Sequence, residues 1–155
     1  MNNREIIEHF YSSFAKADAE GMVSCYAKDI SFEDPAFGPL RGDDACNMWR
    51  MLVKPELKLT FDKVSADDTK GSAHWIATYR FGKTGRIVTN DITASFIFRD
   101  GKIVAHKDHF DFWKWSRQAL GLPGYLLGWT PFLRNKVRKQ ALERLEQFSR
   151  QKRTV

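Results

Sequence analysis

Leu57-Lys58-Leu59-Thr60-Phe61-Asp62 is the stretch on which the reading of the fold turns. Its apolar residues occupy every second position, the period of a strand with one buried face. The same period returns three times downstream. Trp75, Ala77, Tyr79 and Phe81 alternate with His74, Thr78 and Arg80. Ile92, Ala94, Phe96 and Phe98 alternate with Asp91, Thr93, Ser95 and Arg99. A last long strand is expected from Lys102 to about Trp115. Asp67–Gly71, Gly82–Gly85 and Asp100-Gly101 supply the turns, and Asp-Gly is a strong hairpin dipeptide. Four strands in series therefore make an antiparallel meander.

Before Leu57 the period is near 3.6. Ile6, Ile7, Phe10, Phe14 and Ala17 share one face of a helix. Asp18 is placed to cap a short second helix carrying Met22, Val23 and Tyr26. Ile30 and Phe32 alternate with Ser31 and Glu33 as a short strand, which ends at Asp34-Pro35 because proline holds its predecessor extended. Residues 35–42 read as a loop on turn chemistry. Asp43 is the expected cap of a third helix with Ala45, Met48, Trp49 and Leu52, ended by Pro55. Helices followed by a run of strands define an α+β class.

The chain has 155 residues, enough for one domain with a sizeable core. The net charge of +6 sits in residues 131–155, where eight Lys and Arg face only Glu143 and Glu146. The body is neutral, which argues against a nucleic-acid-binding fold. Two cysteines make no disulfide framework. The start MNNREIIEHF lacks the basic and apolar regions of a signal peptide, and no apolar run reaches the ~20 residues a membrane span needs. A cytoplasmic location is expected. No Cys/His cluster has zinc spacing and no Gly-rich loop cradles phosphate, so neither metal nor cofactor is expected.

After Trp115 the pattern breaks at Gly121, Pro123, Gly124, Gly128 and Pro131. A final amphipathic helix then carries Leu133, Val137, Ala141, Leu145 and Phe148 on one stripe, with strongly basic opposite faces. The stripe is expected to dock on the sheet or on a partner subunit, since so long a helix needs packing. With Trp129, Tyr125 and Phe132 nearby, residues 131–155 also fit weak contact with an anionic membrane surface. Nucleic-acid contact ranks last.

This order of elements resembles the nuclear transport factor 2-like superfamily over roughly residues 3–115. The carrying features are the strand ending Glu33-Asp34-Pro35, the Gly38-Pro39-Leu40-Arg41-Gly42 loop and the final strand Ile103-Val104-Ala105-His106-Lys107-Asp108-His109-Phe110-Asp111-Phe112-Trp113, with Phe110 and Phe112 on the face of His106 and Asp108. That strand is most similar to the His-x-Asp strand of SnoaL-like proteins. The resemblance implies a cone-shaped, curved antiparallel sheet wrapped around the first helix. It divides the chain into a SnoaL-like domain over residues 1–118 and a C-terminal extension over 119–155. It also implies a homodimer through the open sheet face and an apolar pocket for a small hydrophobic molecule.

By the same resemblance, Asp34 matches the general base of ketosteroid isomerase. Phe10 and Ala94 stand where that enzyme has its oxyanion donors, and losing even one such donor costs ~3–4 kcal/mol of transition-state stabilisation. Ordinary 3-oxosteroid isomerisation is therefore disfavoured. His106 and Asp108 point to one sheet face, into the cone. The expected catalytic set is Asp34, His106 and Asp108. The expected lining is Phe10, Phe14, Tyr26, Trp49, Trp75, Tyr79, Ala94, Phe96 and Phe110. Isomerase, cyclase or dehydratase chemistry without a cofactor follows. Epoxide hydrolysis in this fold uses an Asp–Arg–Asp set, onto which no Arg maps, and ranks lower. A non-catalytic binding or scaffold module is the other reading. The same residues also have plain structural uses, Asp34 as a turn carboxylate and His106–Asp108 as a polar strand pair.

Overall fold

The structure is a computed structural model that describes residues 1–153. It has the order α1 (Asn3–Ala15), α2 (Ala19–Val23), β1 (Tyr26–Asp34), β2 (Gly38–Arg41), α3 (Asp43–Leu52), β3 (Lys58–Ala66), β4 (Lys70–Arg80), β5 (Ile87–Arg99), β6 (Lys102–His109), α4 (Phe112–Leu120), α5 (Leu122–Leu127) and α6 (Pro131–Arg153). The class is α+β. One six-stranded sheet runs β2-β1-β6-β5-β4-β3.

The meander β3 to β6 is antiparallel throughout, but β1 lies parallel to β6. The sheet is therefore mixed rather than wholly antiparallel. The chain leaves β1 for β2 and α3, and the meander brings β6 back beside β1 in the same direction. Irregular pairing between Asp62 and Ser65, where Lys63 takes a φ of 54°, and between Ile97 and Phe98 bends the sheet. The Asp100-Gly101 turn has both φ values positive, as the hairpin dipeptide predicts.

Helix α1 lies in the concave face. Ile6, Ile7, Phe10 and Phe14 are buried there against Phe32, Trp75, Phe96 and Ile103. Fully burying a side chain such as Phe10 is worth roughly 1.5–3 kcal/mol. Strand β5 alternates without exception from Ile87 to Arg99: Val88, Asn90, Ile92, Ala94, Phe96 and Phe98 face inward. Asp18 caps α2 through Gly21 N, as expected. For α3 the cap position is Gly42, with no side-chain bond, and Asp43 is the first helical residue.

Four segments differ from the sequence-based expectation. Residues 38–41 are not loop but a strand paired with β1. Tyr26 belongs to β1 rather than to the second helix. The last strand stops at His109, because Asp111 turns the chain by accepting from Lys114 N and capping α4. Phe112, Trp115 and Ala119 then bury one face of that helix against Val88. The Gly/Pro-rich run beyond it is helical as well. Gly124 and Gly128 let α5 lie against α4, since a Cβ at either would collide with the carbonyl oxygen or hydroxyl of Ser116.

Helix α6 runs for 23 residues and turns Leu133, Val137, Ala141 and Leu145 inward, packing on α3. Leu145 joins the main core. Residues 154 and 155 of the expected extension lie outside the described residues. Among the described residues, no helix is long and apolar enough to cross a membrane.

Candidate active site

Between the concave face, α3 and α6 lies a mostly apolar cavity of about 580 Å³. Strand β1 brings Asp34 to its wall, β6 brings Asp108, and β5 brings Asn90. Of the expected lining, Phe14, Trp49, Trp75, Tyr79 and Phe110 are at the wall. Phe10, Tyr26, Ala94 and Phe96 are not. They pack one layer behind as buried core.

Asp34 keeps partial exposure, but its carboxyl is crowded by protein. Oδ1 accepts from Ala36 N at 3.0 Å and Phe37 N at 2.6 Å. The structural use read from the turn is thus present. Burial nevertheless pushes the carboxyl up to about 7, with Asp108 adding to the rise; the two N–H bonds and Arg138 oppose it. Oδ2 takes no hydrogen bond among the described residues.

His106 is not at the wall. Its side chain is fully enclosed behind Asp108. The ring is held by Phe96 at 4.5 Å and Phe32 at 5.1 Å between centroids, and lies nearly parallel to Trp49. One arrangement gives every group in this chain a partner: Trp49 Nε1 donates to the Tyr26 hydroxyl oxygen at 2.8 Å, the Tyr26 hydroxyl donates to His106 Nδ1 at 2.7 Å, and His106 Nε2–H donates to Asp108 Oδ1 at 2.9 Å. Trp75 Nε1 gives the same oxygen a longer bond of 3.4 Å. A four-residue relay of hydrogen bonds therefore ends on a carboxylate that faces the cavity.

Two further donors reach the cavity. Trp115 Nε1 donates to the Tyr79 hydroxyl at 2.8 Å, which leaves the Tyr79 proton without an acceptor among the described residues. Asn90 is buried, and its amide has no side-chain bond there. Asn90 was legible: it falls in the inward phase of β5, two residues before Ile92. Helix α6 supplies Val137, Gln140, Ala141 and Arg144 to the wall, which the sequence reading did not foresee. Arg138 on that helix reaches Pro35 O at 3.4 Å, beside Asp34, with a buried, unpartnered Nε. No group of three His, Cys, Asp or Glu could hold a metal ion among the described residues.

Residues 7–106 match the model of the SnoaL-like domain, and the chain belongs to that family, within the nuclear transport factor 2-like superfamily. No curated protein sequence matches. Among solved structures, an NTF2-like protein of unknown function from Burkholderia pseudomallei is 21% identical, with a TM-score of 0.67, over 77% of this chain and 99% of that one. A Pseudomonas putida protein proposed to be a polyketide cyclase is 14% identical, with a TM-score of 0.64, over 77% and 98%. TerC, crystallised with polyporic acid, is 21% identical, with a TM-score of 0.57, over 69% and 89%. At such identities the likeness is one of fold, and fold alone assigns no chemistry.

Proposed function

We propose that the protein binds a small hydrophobic carbonyl compound in the cavity and moves protons on it without a cofactor. The observation that carries this reading is a carboxyl near neutrality, Asp34, at the wall of an apolar cavity that a second carboxyl, Asp108, also lines. A group with a pKa near 7 both takes and returns protons at neutral pH.

In the proposed reaction Asp34 removes a proton from carbon next to the substrate carbonyl. The C–H electron pair moves into the carbonyl, and the resulting enolate oxygen accepts from Tyr79 O–H or the Asn90 amide. These donors take the place of those absent at Phe10 and Ala94. Return of the proton from Asp34 to another carbon gives an isomerase. Attack of the enolate carbon on a second carbonyl of the same molecule, with the proton on Asp34 passing to the alkoxide formed, gives a cyclase. Expulsion of a β-hydroxyl, which leaves as water by taking the proton on Asp34, gives a dehydratase. Asp108, oriented by His106 and Trp75, serves as the second acid/base group. His106 is a positioning residue rather than one that touches substrate. Two buried free cysteines suit the cytoplasmic location expected. The homodimer that the family resemblance implies is part of the proposal.

A second reading, a non-catalytic carrier, draws on the structural work Asp34 does in its turn. One experiment separates them. Hydrophobic ketones, phenols and quinones are screened for thermal stabilisation, and each hit is incubated in D₂O and weighed by mass spectrometry. The catalytic reading expects deuterium uptake at carbon, lowered roughly 100-fold or more in Asp34→Asn while the thermal shift persists. Binding with no exchange by the wild type supports the carrier. No stabilising compound at all removes the pocket from both readings.

A further inference from the structure

The apolar stripe of α6 is turned inward, but the segment just before it is not. Leu122, Tyr125 and Leu126 of α5, Trp129 in the following turn and Phe132 at the start of α6 are all exposed, Leu122 and Trp129 at 69%. The first four fall at helical spacing on one side, so they form a single patch rather than scattered surface residues. Trp113 continues the patch across α4, donating from its indole to Tyr125 O at 3.4 Å.

The stretch of chain that carries this patch has charge of one sign. From Phe112 to Leu142 there is no Asp or Glu, while Lys114, Arg117, Arg134, Lys136 and Lys139 fall in that span, together with Arg138, which is turned inward beside Asp34. Arg117 lies over the Trp113 ring at 4.5 Å and the Tyr125 ring at 5.7 Å, so a cation is built into the patch itself. Arg134 stands 5.3 Å over Phe112 at its edge. Exposed Trp, Tyr, Phe and Leu, with Arg117 set over two of the rings and Lys136 and Lys139 exposed on the following helix, suit an anionic lipid interface. Amphipathic aromatic side chains settle at headgroup depth, and Lys and Arg pair with anionic headgroups.

We propose that the α5 face, from Trp113 to Phe132, docks on an anionic lipid surface. The protein would lie on the membrane there without crossing it, held by the patch and its basic rim rather than by the inward stripe of α6. The proposal is independent of what the cavity holds.

The test is co-sedimentation of the full-length protein with vesicles of phosphatidylcholine alone or with one third phosphatidylglycerol, at low and high salt. Wild type is expected to partition about tenfold or more in favour of the anionic vesicles and to lose most of that preference in high salt. Leu126→Glu/Trp129→Glu is expected to lower binding about tenfold or more, with circular dichroism unchanged because both side chains are solvent-exposed. Lys136→Glu/Lys139→Glu is expected to remove the anionic preference alone. Wild type that binds neither vesicle, or a patch variant that binds as well as wild type, overturns the proposal. So does a wild-type oligomer that the patch variant converts to monomer without lipid, since the patch would then be a contact between copies.

Discussion

Two histidines of this protein contact aspartates across one sheet, His106 on its concave face and His74 on its outer face. His106 Nε2 meets Asp108 at 2.9 Å; His74 meets Asp62 at 2.6 Å and Asp91 at 2.7 Å. By distance alone the outer site is the stronger. Their surroundings reverse that order. His106 and Asp108 are enclosed, with Tyr26 and the two indoles completing their hydrogen bonds. The outer carboxylates are more than half exposed, so water competes for both. Hydrogen bonds to Asp62 and Asp91 raise the His74 pKa above its ordinary value. The comparison teaches that the same residue pair is an enclosed hydrogen-bond network inside and a soft, pH-dependent clamp outside.

Replacing the two histidines tests this contrast most directly. His106→Ala leaves the Tyr26 hydroxyl and the Asp108 carboxylate without their shared partner and opens a void. A stability loss of about 3–5 kcal/mol by urea unfolding is expected, with m-values compared to confirm that the native state stays compact. A loss below about 1 kcal/mol would mean that the inner network is no tighter than the outer one.

Asp34 sharpens the comparison through pH. Its carboxyl is raised to about 7 from an ordinary 3.8, so between these values the folded state holds a proton that the unfolded state has released. The penalty for ionising it grows as pH rises through that window. Asp34→Asn retains the turn acceptor and removes the titration. The variant is expected to gain stability relative to wild type from pH 4 to about 7 and then to level off. A difference that does not change with pH would show that the carboxyl is not desolvated.

The smallest effect is expected at His74→Gln. The His74 pKa is raised, so the clamp contributes fully below the unfolded value of about 6.5 and is lost as pH climbs through the higher folded value. Exposed pairs of this kind contribute about 1 kcal/mol or less. The variant should unfold slightly earlier than wild type at pH 5, more so in low salt, and match it in alkali.

How much of this was legible follows the chemistry of each segment. Strict alternation gave the meander, and it placed His106 and Asp108 on one sheet face, whose inward direction the family resemblance implied. It also misled at Phe110 and Phe112, where two aromatics two residues apart look like strand. The corrective signal was Asp111, an acceptor three residues before Lys114 N, followed by Phe112, Trp115 and Ala119 at helical spacing. Glycine and proline in residues 121–131 suggested breaks, although Gly124 and Gly128 serve close packing of one helix on another. At the site, the sequence could not separate wall from core. Phe10 and Phe14 share a helix face and chemistry, yet only Phe14 meets the cavity. That outcome depends on how far the sheet bends and where α6 comes to rest, both set by long-range packing.

The inward turn of α6 has one more consequence. The strands that carry Asp34 and Asn90 lie within residues 7–106, the span shared with the SnoaL-like family, and Asp108 follows two residues on. Gln140, Ala141 and Arg144 lie far outside it, on the wall of the same cavity. The two sides of one cavity are thus written in separate stretches of chain. Substitutions in the last helix can reshape the space without touching the strands that carry Asp34, Asn90 and Asp108.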